Sequence, residues 1–316
     1  MTQIGGFIAP SRKSGVLGIH SVDHFSLAVP DLGDAQNFYA NFGLDVRTDG
    51  QALALHTDAA PHRWGRIIEG PSKKLHMLSF GCYEEDLPRF ADHLQARGIA
   101  RTDPLPGVDS NGVWFRDCDG TPIEIKVAVK SSPSAKSVFG DTQNPPNLRA
   151  ATVRAMAPLV RPRRLSHVLL FVRDLDRSIA FYTDVLGMRL SDRTNFVAFM
   201  HGVHGSDHHM IAFAQSNAPG FHHASWDVGS VNEVGVGAAT MASKGFSRGW
   251  GLGRHVLGSN FFHYVRDPWG SYCEYSADID FIAADFDWES QVHRPEDSLS
   301  LWGPEPPPDF VTNFEA

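Results

Sequence analysis

Sixteen histidines among 316 residues, six of them between His201 and His223, mark the second half of this chain as the place to look for chemistry. Imidazole is the commonest metal ligand among side chains and the one that titrates near neutral pH. Three groups stand out: His167 at the start of a strand-like run, His223 at the start of a matching run, and Glu274 in a later run. Two imidazoles and a carboxylate on one face leave about three positions of a metal ion open. That set suits a non-haem Fe(II) centre where substrate and O2 must meet, with Mn(II) as the second choice.

Any one such histidine, taken alone, is more often a satisfied structural residue, so the weighing rests on an internal duplication. The stretch Val22-Asp23-His24 to Asp31, followed by Phe38-Tyr39 and Gly43-Leu44, matches Leu165-Ser166-His167 to Asp174, followed by Phe181-Tyr182 and Gly187-Met188. The His-to-Asp and Asp-to-Tyr spacings are the same in both. Each copy reads as an apolar strand ending at an Asp that caps a helix. In the second copy Leu175, Ile179, Tyr182, Val185 and Leu186 recur at helical spacing before a stopping Gly.

The later parts correspond too. Leu75-His76-Met77 aligns with Phe221-His222-His223, and Trp114 to Glu124 aligns with Tyr264 to Glu274, each holding an Arg-Asp-x-x-Gly turn between strand-like runs. Each half therefore contains two modules of one helix and a few strands. The first half keeps His24 and Glu124 but has Met77 where His223 falls, so its triad is broken and it reads as scaffold.

The run Gly253 to Glu274, with His255, Tyr264, Asp267-Pro268, Gly270 and Glu274 in register, resembles the signature of type I extradiol ring-cleavage dioxygenases of the vicinal oxygen chelate superfamily. His263 departs from it, where an aliphatic residue or Phe is usual. The resemblance spans roughly residues 18 to 285. It implies an α+β fold of four βαβββ modules paired into two similar domains. The expected limits are a non-catalytic module pair at 18–130, a linker at 131–163, a catalytic pair at 164–280 and a tail at 281–316.

The resemblance also implies that His167, His223 and Glu274 ligate Fe(II), and that His209 is the acid–base histidine that takes a proton from the diol. His255 and Tyr264 then orient the substrate oxygen on the metal. Strand register favours His223 over His222, which alternation turns to the opposite face. The implied reaction is cleavage of a catechol by O2 beside the diol, giving a ring-opened semialdehyde or dienoate. Phe196, Phe199, Phe213, Trp250, Phe261 and Phe262 are candidate pocket walls, and no Arg or Lys cluster marks a carboxylate site. An uncharged, alkyl- or aryl-substituted catechol is the expected substrate, and a homo-oligomer the expected assembly.

Composition narrows the alternatives. Hydrophobic residues at 42% and charged residues at 20% describe a globular chain. No run nears the ~18 apolar residues of a membrane helix, and residues 1–15 lack the apolar stretch of a secretory signal. A net charge of -8 argues against nucleic acid. Cys82, Cys118 and Cys273 show no paired spacing, which fits a cytoplasmic setting. Two other readings compete: a metal-dependent isomerase or thiol transferase with ligands from both halves, and a non-catalytic protein that binds planar ligands.

Overall fold

The structure, a computed structural model, describes residues 11–140 and 144–316. Residues 1–10 of the segment read for a secretory signal, and residues 141–143 of the expected linker, lie outside the described residues.

The first half contains β1 (Ser21–Val29), α1 (Leu32–Phe42), β2 (Asp45–Asp49), β3 (Ala52–His56), β4 (Arg63–Glu69), β5 (Lys74–Cys82), α2 (Asp86–Ala96), β6 (Val113–Arg116) and β7 (Pro122–Val127). Its seven strands form one sheet in the order β2-β3-β4-β1-β5-β7-β6. β1 and β5, the first strands of the two modules, pair antiparallel at the centre, and each runs parallel to the last strand of its own module. The second half repeats this plan with β8 (Arg164–Val172), α3 (Leu175–Leu186), β9 (Arg189–Arg193), β10 (Val197–His201), β11 (Ser206–Asp207) and β12 (Ile211–Gln215). Its other module holds β13 (Gly220–Asp227), α4 (Val231–Ser243), β14 (Gly249–Arg254), β15 (Phe261–Arg266) and β16 (Tyr272–Ala277). Here β8 and β13 are the central antiparallel pair. The architecture is thus α+β, two similar domains of paired modules.

One module departs from the four-strand plan. Between α2 and β6 the expected strand survives only as a bridge from Thr102 to Trp114. Pro104 and Pro106 lie in that segment and lack the N–H groups a ladder needs.

Local chemistry explains the rest. Asp31 accepts from the Asp34 amide and Asp174 from the Arg177 amide, capping α1 and α3 at matching points. Gly43 and Gly187 end these helices in the left-handed region, at φ 103° and 71°. Asp117 Oδ1 accepts the amides of Asp119 and Thr121, and Asp267 Oδ1 those of Trp269 and Ser271, fixing the two equivalent hairpin turns.

The halves share one apolar core. Phe42 of α1 stacks on Tyr275 of β16 with centroids 3.9 Å apart, and the Tyr275 hydroxyl donates to the Phe42 carbonyl. The connecting segment is less superficial than its Ser and Pro content predicts. Ser131 and Ser132 are buried and donate their amides to Ser21 Oγ, because these polar groups complete the end of β1. The tail adds β17 (Phe281–Ile282), β18 (Gln291–Val292) and α5 (Pro295–Ser298). β17 pairs with β11, β18 adds to the edge of the second sheet beside β9, and the chain then crosses the mouth of the second half.

Candidate active site

His167, His223 and Glu274 stand on three neighbouring strands, β8, β13 and β16. Ser225 pairs with His167 on one side and Glu274 on the other, and His223 lies two residues along from it, so pleating turns all three to one face. The gathered atoms are His167 Nε2 and His223 Nε2, 3.2 Å apart, with Glu274 Oε2 at 3.3 and 3.6 Å from them. Exposure is 3%, 3% and 0%.

Hydrogen bonds behind the rings decide what these atoms offer. The Ser166 hydroxyl donates to Asp207, so it accepts from His167 Nδ1, and a His167 ring that carries one proton is then bare at Nε2. His222 Nε2 donates to the Phe310 carbonyl, 2.7 Å away. Burial pushes the His222 ring down to about 4, so it is neutral and its Nδ1 accepts from His223 Nδ1 at 2.6 Å. That fixes the His223 proton away from the cluster. Glu274 Oε2 accepts no hydrogen bond, while Oε1 is held by the Asn260 amide.

Two nitrogen lone pairs and a carboxylate oxygen thus face one point in a buried site, an arrangement that is repulsive unless a cation stands there. Separations of 3.2 to 3.6 Å suit donors about 2.1 Å from a shared ion. The residues fit a divalent transition metal of the kind that two imidazoles and a carboxylate select.

The other expected residues surround this cluster. His209, next to β12, lies with its ring centroid 4.1 Å from that of His167, and burial drives its basicity well below the ordinary value. His255 Nδ1 donates to the Leu299 carbonyl and burial lowers the ring's pKa, so its Nε2 accepts from the Tyr264 hydroxyl at 3.0 Å. Burial also raises the Tyr264 phenol well above its usual value, with the Glu274 charge adding to it. Tyr264 sits opposite Glu274 in the ladder, and its ring is 5.1 Å from that of His223.

Two readings of the sequence need correcting. Simple alternation turns His222 away from the cluster, but the β8–β13 register slips between Phe221 and His223, a β-bulge, and both rings line the cavity. Of the six aromatics expected to wall the pocket, Phe196, Phe199 and Trp250 do so. Phe213 packs on Tyr182, Phe261 on Trp302 and Phe139, and Phe262 stacks behind His255 at 3.9 Å.

A cavity opens over the cluster. Leu169, Val197, Phe199 and Leu257 make its walls apolar, and no Arg or Lys is among its lining residues. Leu299, Phe310 and Val311 of the tail close one side, and sequence reasoning missed them. So it missed Asn260, although Asn260 lies inside the long motif.

With this geometry in place, comparison with known proteins adds a second line. The profile described as "Glyoxalase/Bleomycin resistance protein/Dioxygenase superfamily" matches residues 21–125 and 164–275. The chain is 50% identical to "Metapyrocatechase 2" of Cupriavidus necator over 301 residues, 94% of this chain and 93% of that protein. It is 30% identical to "Biphenyl-2,3-diol 1,2-dioxygenase" of Metapseudomonas furukawaii, covering 91% of this chain and 94% of that one. An extradiol ring-cleaving dioxygenase from B. fuscum shares the fold at a TM-score of 0.75 and 21% identity, over 98% of this chain and 85% of that chain.

Proposed function

This chain belongs to the Glyoxalase/Bleomycin resistance protein/Dioxygenase superfamily, and from that premise we propose that it opens the ring of a catechol-type diol with O2, cutting beside the diol. Both oxygen atoms enter the product, a ring-opened semialdehyde or dienoate. The observation that carries the reading is the buried triangle of two bare imidazole nitrogens and an unpartnered Glu274 oxygen at the floor of an apolar cavity. The names of the two relatives above support the same class of reaction.

His167, His223 and Glu274 hold the ion, and the donor set favours Fe(II), with Mn(II) second. Ferrous iron, when bound, supplies open positions where diol and dioxygen are brought together and a route for electron density between them. The chain's own groups do the rest. His209 is neutral in its buried position and accepts the proton that a diol hydroxyl must lose. The Tyr264 hydroxyl gives its one proton to His255 Nε2, and its oxygen accepts from the diol hydroxyl that keeps its proton, which orients the ring. Asn260 keeps Glu274 Oε1 occupied so that Oε2 is the oxygen presented.

Apolar walls without Arg or Lys select a catechol bearing an uncharged alkyl or aryl substituent. A cytoplasmic location fits three free cysteines, and exposed Phe286, Val292 and Leu301 supply apolar surface for a homo-oligomer. Light scattering of the purified chain checks the assembly. Anaerobic loading with Fe(II), followed by air and a panel of catechols, tests the function: a yellow ring-opened product is expected, fastest with apolar substituents. Full iron loading with no catechol cleaved would refute it.

A further inference from the structure

His208 and His209 are neighbours in sequence, and their rings meet through Nδ1 atoms 3.0 Å apart. His209 faces the candidate metal cluster. His208 faces away, enclosed by Phe199 and Trp288, and its Nε2 lies 2.9 Å from Asp192 Oδ2 on β9. The other Asp192 oxygen accepts from the Gln291 amide at 3.0 Å and from His293 Nε2 at 2.9 Å, both on the tail. Burial raises the Asp192 carboxyl, but the hydrogen bonds from His208 and His293 offset this and hold it below its ordinary value, so it is ionised.

The proton bookkeeping has one solution when each ring carries a single proton. A carboxylate only accepts, so His208 must place its proton on Nε2. Its Nδ1 is then a lone pair, and the close approach of two Nδ1 atoms is favourable only if His209 donates from Nδ1. His209 Nε2, which has no hydrogen-bond partner among the described residues, is left bare on a ring that lines the cavity.

We propose that the Asp192–His208 pair, clamped by Gln291 and His293 of the tail, sets the tautomer of His209 so that its Nε2 is the free, proton-accepting nitrogen. Asp192 and His208 are positioning residues, since neither reaches the cavity chemistry. The inference deepens the assignment of His209 as the base and rests on it for its functional meaning. The tautomer itself is a property of the chain and can be read without turnover.

The test is ring-nitrogen NMR of the full, 15N-labelled, metal-free chain, with the His209 signals identified by their loss in His209→Gln. A pyrrole-type Nδ1 and a pyridine-type Nε2 are expected for His209; the reverse pattern overturns the proposal, and this reading needs no variant of the pair. In Asp192→Asn the two tail donors keep the amide oxygen, which turns the amide N–H toward His208 Nε2. His208 then carries its proton on Nδ1, and His209 must invert. An unchanged His209 pattern in folded Asp192→Asn overturns the proposal as well. Fe(II)-loaded Asp192→Asn is expected to keep its iron and its KM while kcat falls by about 10²-fold, a share of what a general base supplies. Failure of the base assignment is separate: it shows as unchanged kcat in His209→Phe, whatever the ring pattern.

Discussion

The two halves of the molecule present the same ladder positions and opposite chemistry. Ser79 pairs with His24 and Glu124 in the first sheet just as Ser225 pairs with His167 and Glu274 in the second, and Trp114 faces Glu124 as Tyr264 faces Glu274. The first half, however, has satisfied the carboxylate that its counterpart leaves open. The Ser79 and Ser110 hydroxyls donate to the two oxygens of Glu124, and Trp114 Nε1 donates to Ser110 Oγ. His24 Nδ1 is bound to Asp23, and Met77, 1% exposed, fills the third place with a side chain that offers a hard cation nothing. The lesson is that strand register alone does not make a metal site. What the carboxylate is already bonded to does.

The most damaging way to test this contrast is to copy the first half into the second. His223→Met reproduces the Met77 pattern, removes one of the proposed nitrogen ligands and leaves volume nearly unchanged. It should abolish iron binding and lower turnover by about 10³-fold or more, because the metal carries the substrate chemistry. Iron content by elemental analysis and thermal unfolding of the same sample separate lost metal from lost fold. Full iron occupancy in this variant would remove His223 from the ligand set.

A smaller effect isolates what the second half has beyond its ligands. His209→Phe keeps the triad, so iron stays bound. On the proposed role of His209 the diol proton then lacks its acceptor, and kcat should fall by about 10² to 10⁴-fold. Unchanged kinetics at full iron occupancy would show that the metal and Tyr264 suffice.

The halves should also part under acid. Burial drives His201, His204, His222 and His263 in the second half down to about 4, as it does His20 in the first. In the unfolded chain these rings titrate near 6.5. Between pH 6.5 and 4 the unfolded state takes up protons that the folded state refuses. Stability present in full above pH 6.5 therefore falls through that window, by up to about 1.4 kcal/mol per pH unit for each ring. Hydrogen exchange of the metal-free chain should show β12, β13 and β15 losing protection before β1 and β5. Simultaneous loss in both sheets would contradict this.

How far the sequence disclosed these features follows from their physical origin. Capped helices and Arg-Asp-x-x-Gly turns are local, so the Asp31 and Asp174 caps and the duplicated frame were readable from spacing. The positions of His167, His223 and Glu274 were readable because the broken copy at His24, Met77 and Glu124 supplied a control within the chain. The bulge at His222 was not, since alternation fails where one extra residue enters a strand. Nor was the role of the tail. Phe310, Leu299 and His293 reach His222, His255 and Asp192 across 88, 44 and 101 residues of chain, contacts without local periodicity.

The converse substitution has the smallest expected effect and sharpens the contrast most. Met77→His restores the missing imidazole to the first half, and a view based on residue type alone expects a second metal there. The structure gives a different expectation. Glu124 keeps both oxygens engaged by Ser79 and Ser110, so the carboxylate has none to offer an ion. Metal stoichiometry should therefore remain one per chain and turnover unchanged. Stability should drop by about 1–3 kcal/mol for the newly buried polar ring. Adding Ser79→Ala and Ser110→Ala frees the carboxylate, and only then is a second equivalent expected. Two metals per chain in Met77→His alone would show that the hydrogen bonds on Glu124 are too weak to keep an ion out, and that the ligand types by themselves decide which half binds.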